Sequence, residues 1–267
     1  MVESSETTDI SASARVLAVI PARYQSSRFP GKPLVDIQGK PMIQHVWDRV
    51  NQVADVDRVV VATDDSRIAD AVRAFGGEVQ MTHPEHPSGT DRVWEVAQAH
   101  PGYELVLNVQ GDEPFLNPQA LKRSIETMRT QPKADVVTLI TPIQTLADWT
   151  NPNVVKAVVS QSGRALYFSR ASIPFERDTQ HEPPRVPRQG YRHLGLYLYR
   201  REVLARFTQL PPSPLEQLEK LEQLRALEAG IQIYTAVVEE VPMGIDTPED
   251  LETLLTSLAK HPGGASR

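Results

Sequence analysis

The 267-residue chain contains no cysteine. Disulfides, thiolate nucleophiles and Cys-ligated metals are therefore excluded, and the composition fits a reducing compartment, with the cytoplasm as the expectation. No apolar run approaches the ~18 residues a membrane span needs. Gly-x-Gly-x-x-Gly is absent, and the Gly-Lys pairs at 31–32 and 39–40 have Ser26 and Leu34 where a P-loop carries its first glycine. There is no Gly-x-Ser-x-Gly elbow either. These absences disfavour dinucleotide dehydrogenases, P-loop kinases and serine hydrolases. An excess of basic charge is also missing: 28 Lys and Arg stand against 34 Asp and Glu, a net charge of −6. That balance argues against nucleic-acid or anionic-membrane partners. Residues 1–14 carry Glu3, Glu6 and Asp9 but no Lys or Arg, unlike a signal or transit peptide. They read as a disordered tail, as do residues 261–267.

What is present is uneven. Between positions 15 and 40, Arg15, Arg23, Arg28, Lys32 and Lys40 face only Asp36. The strand-like Val16–Ile20 runs into Pro21-Ala22-Arg23-Tyr24-Gln25-Ser26-Ser27-Arg28-Phe29-Pro30-Gly31-Lys32-Pro33, a loop of cations spaced by small residues, Gly and Pro. Such a loop at a strand end can wrap a polyphosphate, backbone N–H groups adding to the side-chain charge; the plain alternative is a solvated basic loop.

Apolar runs at Val16–Ile20, Val59–Ala62, Val79–Met81, Leu105–Val109 and Val136–Ile140 alternate with helical patterns near 42–53, 66–75, 90–99 and 118–129. This is the βαβ signature of an α/β fold with a mainly parallel sheet. Beyond residue 150 the texture becomes β-rich, with strand-like Val154–Val159, Ala165–Phe168 and Leu194–Tyr199. The expectation is one domain over 15–260 with an appendage at about 165–229. A helix is predicted over 215–229, where Leu215, Leu218, Leu221, Leu224 and Leu227 recur every three residues. At about 100° per residue that spacing sweeps around the cylinder instead of forming one stripe. Such a helix needs cover on more than one side, which a second subunit would supply, and a homodimer is expected; full burial within one chain is the alternative.

Asn108-Val109-Gln110-Gly111-Asp112-Glu113-Pro114 sets a carboxylate just past a central strand, where Mg²⁺ bridging a triphosphate is held, although such an Asp also serves turns and caps. Asp246, in Gly244-Ile245-Asp246-Thr247-Pro248-Glu249-Asp250, is a second metal candidate; Thr247 with Asp250 also makes a capping box. Ser88, Gly89 and Thr90 open a helix and can bond a base or sugar, or merely cap it. His83 and His86 lack a third ligand for zinc.

Taken in order, these segments resemble the 3-deoxy-manno-octulosonate (Kdo) cytidylyltransferases, or CMP-Kdo synthetases. The likeness runs from about Val16 to Ala259. It rests on the loop above and on Val61-Ala62-Thr63-Asp64, Ser88-Gly89-Thr90-Asp91-Arg92, Asn108 to Pro114, Asn151-Pro152-Asn153-Val154-Val155-Lys156, Ala165-Leu166-Tyr167-Phe168-Ser169-Arg170, Arg192-His193-Leu194-Gly195-Leu196-Tyr197, Pro212 to Glu216, Leu221 to Arg225 and Asp246 to Leu251. The resemblance implies a Rossmann-like nucleotidyltransferase fold, a homodimer, and a reaction of CTP with Kdo on Mg²⁺ that gives CMP-Kdo and pyrophosphate for lipopolysaccharide or related envelope polysaccharide. By that likeness Pro21, Ala22, Arg23 and Lys32 line the triphosphate with Arg28 nearby, and Ser88 and Gly89 lie against cytidine. Gln110 positions nucleotide or sugar, while Asp112 and Asp246 hold the metal. Arg170, His193, Glu222 and Gln223 meet the sugar acid. Arg23, Lys32, Asp112 and Asp246 are then the catalytic set. The rivals are a cytidylyltransferase for 8-amino-Kdo or a sialic acid, and a nucleotide-binding regulatory protein without catalysis.

Overall fold

The computed structural model describes residues 13–25, 29–179, 185–239 and 244–260. Both expected tails, apart from residues 13 and 14, lie outside the described residues, as does Arg28. In chain order the elements begin with β1 Val16–Ala22, β2 Asp36–Ile37, β3 Lys40–Pro41, α1 Met42–Val50, β4 Arg58–Thr63, α2 Ser66–Ala74, β5 Glu78–Met81, α3 Gly89–Ala99 and β6 Leu105–Asn108. Then follow α4 Pro118–Thr130, β7 Val136–Pro142, α5 Leu146–Thr150, β8 Lys156–Val159, β9 Ala165–Ser169, β10 Tyr191–Arg200, α6 Arg201–Phe207, α7 Pro214–Glu219, α8 Gln223–Glu228, β11 Ile233–Val237 and α9 Pro248–Lys260. The chain folds as two compact units: one takes Arg15–Leu121 with the segment from Pro242 onward, the other centres on Lys122–Val241.

In the first unit the strands lie in the order β6-β1-β4-β5, every neighbouring pair parallel. Their sequences explain this. Val16 to Ile20, Val60 to Ala62 and Leu105 to Leu107 are fully buried, as unbroken apolar runs are when helices cover both faces of a parallel sheet. The helices supply matching stripes: Met42, Ile43, Val46 and Val50 from α1, Ile68, Ala69 and Val72 from α2, and Val93, Val96 and Ala97 from α3 are buried. The end of the chain closes back on this unit. Ile245 and Leu254 pack with Ile37 and Met42, and the Ile245 N–H donates to the Asp112 carbonyl at 3.0 Å.

The second unit is mixed. β7 pairs in parallel with β11 and antiparallel with β10, and β8 joins β10 to β9 antiparallel on both sides. β10 is irregular: Leu194 faces Leu139 but Tyr197 faces Thr138, so Gly195 and Leu196 bulge out of the ladder.

The single helix expected over 215–229 is not formed. It breaks into α7 and α8 at Lys220, whose φ of 54° is left-handed. Five leucines at spacing three cannot all face one core, and the break resolves the conflict. Leu221 and Leu224 turn inward at 6% and 0% exposure while Leu218 stays 80% exposed. Arg225 clasps the two pieces, donating through Nε and Nη2 to both Glu216 carboxylate oxygens at 2.9 and 2.8 Å.

Candidate active site

Three neighbouring strand ends carry the candidate residues of the first unit. β1 leads into Arg23, β4 into Asp64 and β6 into Gln110, Gly111 and Asp112. In a parallel sheet these carboxyl ends open together onto the ligand crevice. Gly111 lets two of them approach: a Cβ there would stand 2.8 Å from the Pro21 carbonyl oxygen. Gly89 likewise lies along Pro21, where a Cβ would be 3.7 Å from the proline ring.

Lys32 joins residues that are far apart in sequence. Its ammonium donates to Asp112 Oδ2 at 2.8 Å and to Asp246 Oδ1 at 3.3 Å. The lysine side chain is 13% exposed, against 33% and 50% for the two carboxylates, so the pair opens to solvent while sharing one cation. Thr247 Oγ1 accepts from the Asp250 N–H, and the Asp250 carboxylate accepts from the N–H groups of Asp246 and Thr247 at 2.9 Å each. Thr247 and Asp250 thus form the capping box that the sequence suggested at the start of α9.

Arg23 reaches the start of α3, donating to the carbonyls of His86 at 2.7 Å and Ser88 at 3.2 Å. Ser88 caps that helix. Its hydroxyl oxygen accepts from the Thr90 and Asp91 N–H groups, and the Asp91 carboxylate accepts from the Ser88 N–H at 3.1 Å. Behind this turn the guanidinium of Arg92 is wholly buried, 3.1 Å from the Asp64 carboxylate and hydrogen-bonded to the Thr82 hydroxyl. Burial pulls its pKa below the usual guanidinium range and Asp64 opposes the shift. Position 92 is a bolt between strand ends that the sequence did not reveal. The His86 ring bonds the Glu95 carboxylate, which also accepts from the His83 main-chain N–H.

The second unit gathers the residues assigned to the sugar. Each nitrogen of the Arg170 side chain donates to a main-chain carbonyl: Nε to Glu219 at 2.7 Å, Nη1 to Pro152 at 3.0 Å and Nη2 to Lys220 at 3.4 Å. The Lys156 ammonium holds the same 151–154 turn through the carbonyls of Asn151 and Val154 at 2.9 and 2.6 Å, and burial lowers its pKa. His193 lies against the Phe168 and Tyr197 rings, with centroids at 4.8 and 5.5 Å. Loss of hydration lowers its pKa from 6.5 to about 3, leaving a neutral imidazole. Gln223 Nε2 stands 3.5 Å from His193 Nδ1, and Glu222 lies 3.2 Å from Arg225 Nη2.

Residues 17–233 match the sequence model of the family described as Cytidylyltransferase. A 3-deoxy-manno-octulosonate cytidylyltransferase of Syntrophobacter fumaroxidans is 50% identical over 253 residues, covering 94% of this chain and 100% of its own. The enzyme of that name from Syntrophotalea carbinolica is 52% identical over 239 residues, covering 88% of this chain and 95% of its own. This chain belongs to the 3-deoxy-manno-octulosonate cytidylyltransferase family. A solved structure of a CMP:2-keto-3-deoxy-manno-octonic acid synthetase complexed with CTP superposes with a TM-score of 0.86 at 46% identity, covering 92% of this chain and 99% of that one. The α/β, Rossmann-like expectation and the family assignment both hold for this member of the family.

Proposed function

We propose that this cytidylyltransferase activates Kdo with CTP, giving CMP-Kdo and pyrophosphate. The anomeric hydroxyl of the sugar attacks the α-phosphorus, the bond to the β-phosphate oxygen breaks, and the hydroxyl proton is lost to solvent or base. No covalent enzyme intermediate is needed. The observation that carries this reading is the meeting of Asp112 and Asp246 on one ammonium beside the cationic loop.

The two carboxylates fit Mg²⁺: they are hard oxygen donors, they already share a cation, and they leave its other positions to phosphate oxygens and water. When bound, that ion neutralises phosphate charge and gives the reacting oxygens a fixed place. Asp112 and Asp246 would hold it. Lys32 would exchange carboxylate for phosphate oxygens and, with Arg23, stabilise charge on the departing pyrophosphate. Ser88 and Gly89 would meet cytidine, with Gln110 between base and sugar. His193, Gln223 and Glu222 would bond sugar hydroxyls, and Arg170 would offer its remaining N–H donors to the sugar carboxylate. We further infer a homodimer, supported by the exposed Leu218 and Phe175 of the second unit. Among the described residues no helix is long and apolar enough to cross a membrane, and the cytoplasm is our inferred compartment.

The test is pyrophosphate release from each of the four nucleoside triphosphates with Kdo, 8-amino-Kdo and a sialic acid. Release is expected from CTP with Kdo. Preference for UTP or GTP would overturn the base assignment, preference for another sugar would overturn the acceptor, and no release from folded protein would favour a nucleotide-binding module.

A further inference from the structure

Thr138 was not among the residues singled out in the sequence, yet its fully buried hydroxyl sits at the junction of the β10 bulge and His193. It stands 2.7 Å from the Leu196 carbonyl oxygen, 3.1 Å from that of Leu194 and 2.9 Å from His193 Nε2. A hydroxyl has one proton, and a carbonyl can only accept. The bulge removes Gly195 and Leu196 from the ladder, and the Thr138 proton satisfies a carbonyl there. Its oxygen is then left to accept, and the group that donates to it is the Nε2–H of His193. The opposite ring nitrogen, Nδ1, carries the lone pair, and the Gln223 amide 3.5 Å away is oriented to donate to it.

We propose that Thr138 is a positioning residue that fixes His193 in its Nε2-protonated form, presenting Nδ1 as a single acceptor that the long Gln223 contact occupies in the ligand-free protein and that a sugar hydroxyl takes over on binding. The sugar half rests on the proposed function; the tautomer half does not. The Phe168 and Tyr197 rings that flank the imidazole hold its plane, so the proton's position decides which bond it can make.

The experiment uses the full chain labelled with ¹⁵N-histidine, His193 being assigned by difference with His193→Gln. Long-range ¹H–¹⁵N spectra should show Nε2 protonated in the native chain and in Thr138→Ser, and the Nδ1-protonated form appearing in Thr138→Val. Loss of one such hydrogen bond should raise KM for Kdo about tenfold in Thr138→Val. The kcat and KM for CTP should stay within about twofold, and Thr138→Ser should restore KM for Kdo. A Thr138→Val spectrum still purely Nε2-protonated, or an altered tautomer with unchanged KM for Kdo, would overturn the proposal. So would an equal rise in both KM values or a failure of serine to rescue, either of which marks general loosening. If the native chain releases no pyrophosphate with CTP and Kdo, the functional reading and the sugar half fail together, while the spectrum judges the tautomer by itself.

Discussion

Replacing Lys32 with Met should have two opposed effects. The ammonium lies 2.8 and 3.3 Å from the two carboxylates. At an effective dielectric of about 20 these separations correspond to gross attractions of about 6 and 5 kcal/mol. Water reaches Asp112 and Asp246, so the net worth of each contact falls to about 1 kcal/mol. In the ligand-free protein Lys32 would therefore compete with Mg²⁺ for the proposed position, and its removal should lower the Mg²⁺ midpoint by about tenfold. On the proposed mechanism the same ammonium would, with substrate bound, stabilise the leaving pyrophosphate. At saturating Mg²⁺, kcat should fall on the order of 100-fold. The assays are a calorimetric magnesium titration of the ligand-free protein for the midpoint and pyrophosphate release at saturating CTP, Kdo and Mg²⁺ for kcat, with thermal denaturation to confirm folding. Unchanged turnover in folded Lys32→Met protein would refute the catalytic role. A midpoint displaced to higher magnesium would refute the competition.

Gly111→Ala should destabilise the protein by about 1–3 kcal/mol in chemical denaturation, because its Cβ meets a main-chain oxygen of the central strand at 2.8 Å. It should also lower kcat by displacing the adjacent Asp112. A native denaturation midpoint would show that β1 yields at Pro21 without cost. His193 has a folded pKa of about 3, against the ordinary 6.5. Its contribution is complete above pH 6.5, and from there down to about pH 3 the unfolded chain binds the extra proton. Stability should drop by up to ~1.4 kcal/mol per pH unit within that window. Denaturant midpoints from pH 7 to 4 should fall less steeply in His193→Gln, and equal slopes would show that the ring gains protons as readily folded as unfolded.

Much of the fold was legible because periodicity is a local property. The runs that became β1 and β4 were apolar throughout, and those of β5, β6 and β7 were interrupted only by Gln80, Asn108 and Thr138; Asn117 opens α4, its side chain accepting from the Gln119 N–H. The five-residue β11 went unread. The break at Lys220 was invisible too. A left-handed lysine has no local signature, and the conflict it relieves exists only once Leu221 and Leu224 have a core to face. In the site, Arg23, Lys32 and Asp112 were readable as a charge cluster and a strand-end carboxylate. Arg92 and Thr138 were not, since their importance lies in what surrounds them.

The sequence by itself determined the α/β class, the cationic loop after the first strand and, through an ordered set of motifs, the family, because each is written in contiguous residues. Only tertiary structure decided that Asp246 returns to Asp112 across one ammonium and that Arg170 grips the main chain. These depend on which distant groups compete for one donor or acceptor. That competition is settled by the geometry of the folded chain, where a few tenths of an ångström separate a bond from a near miss.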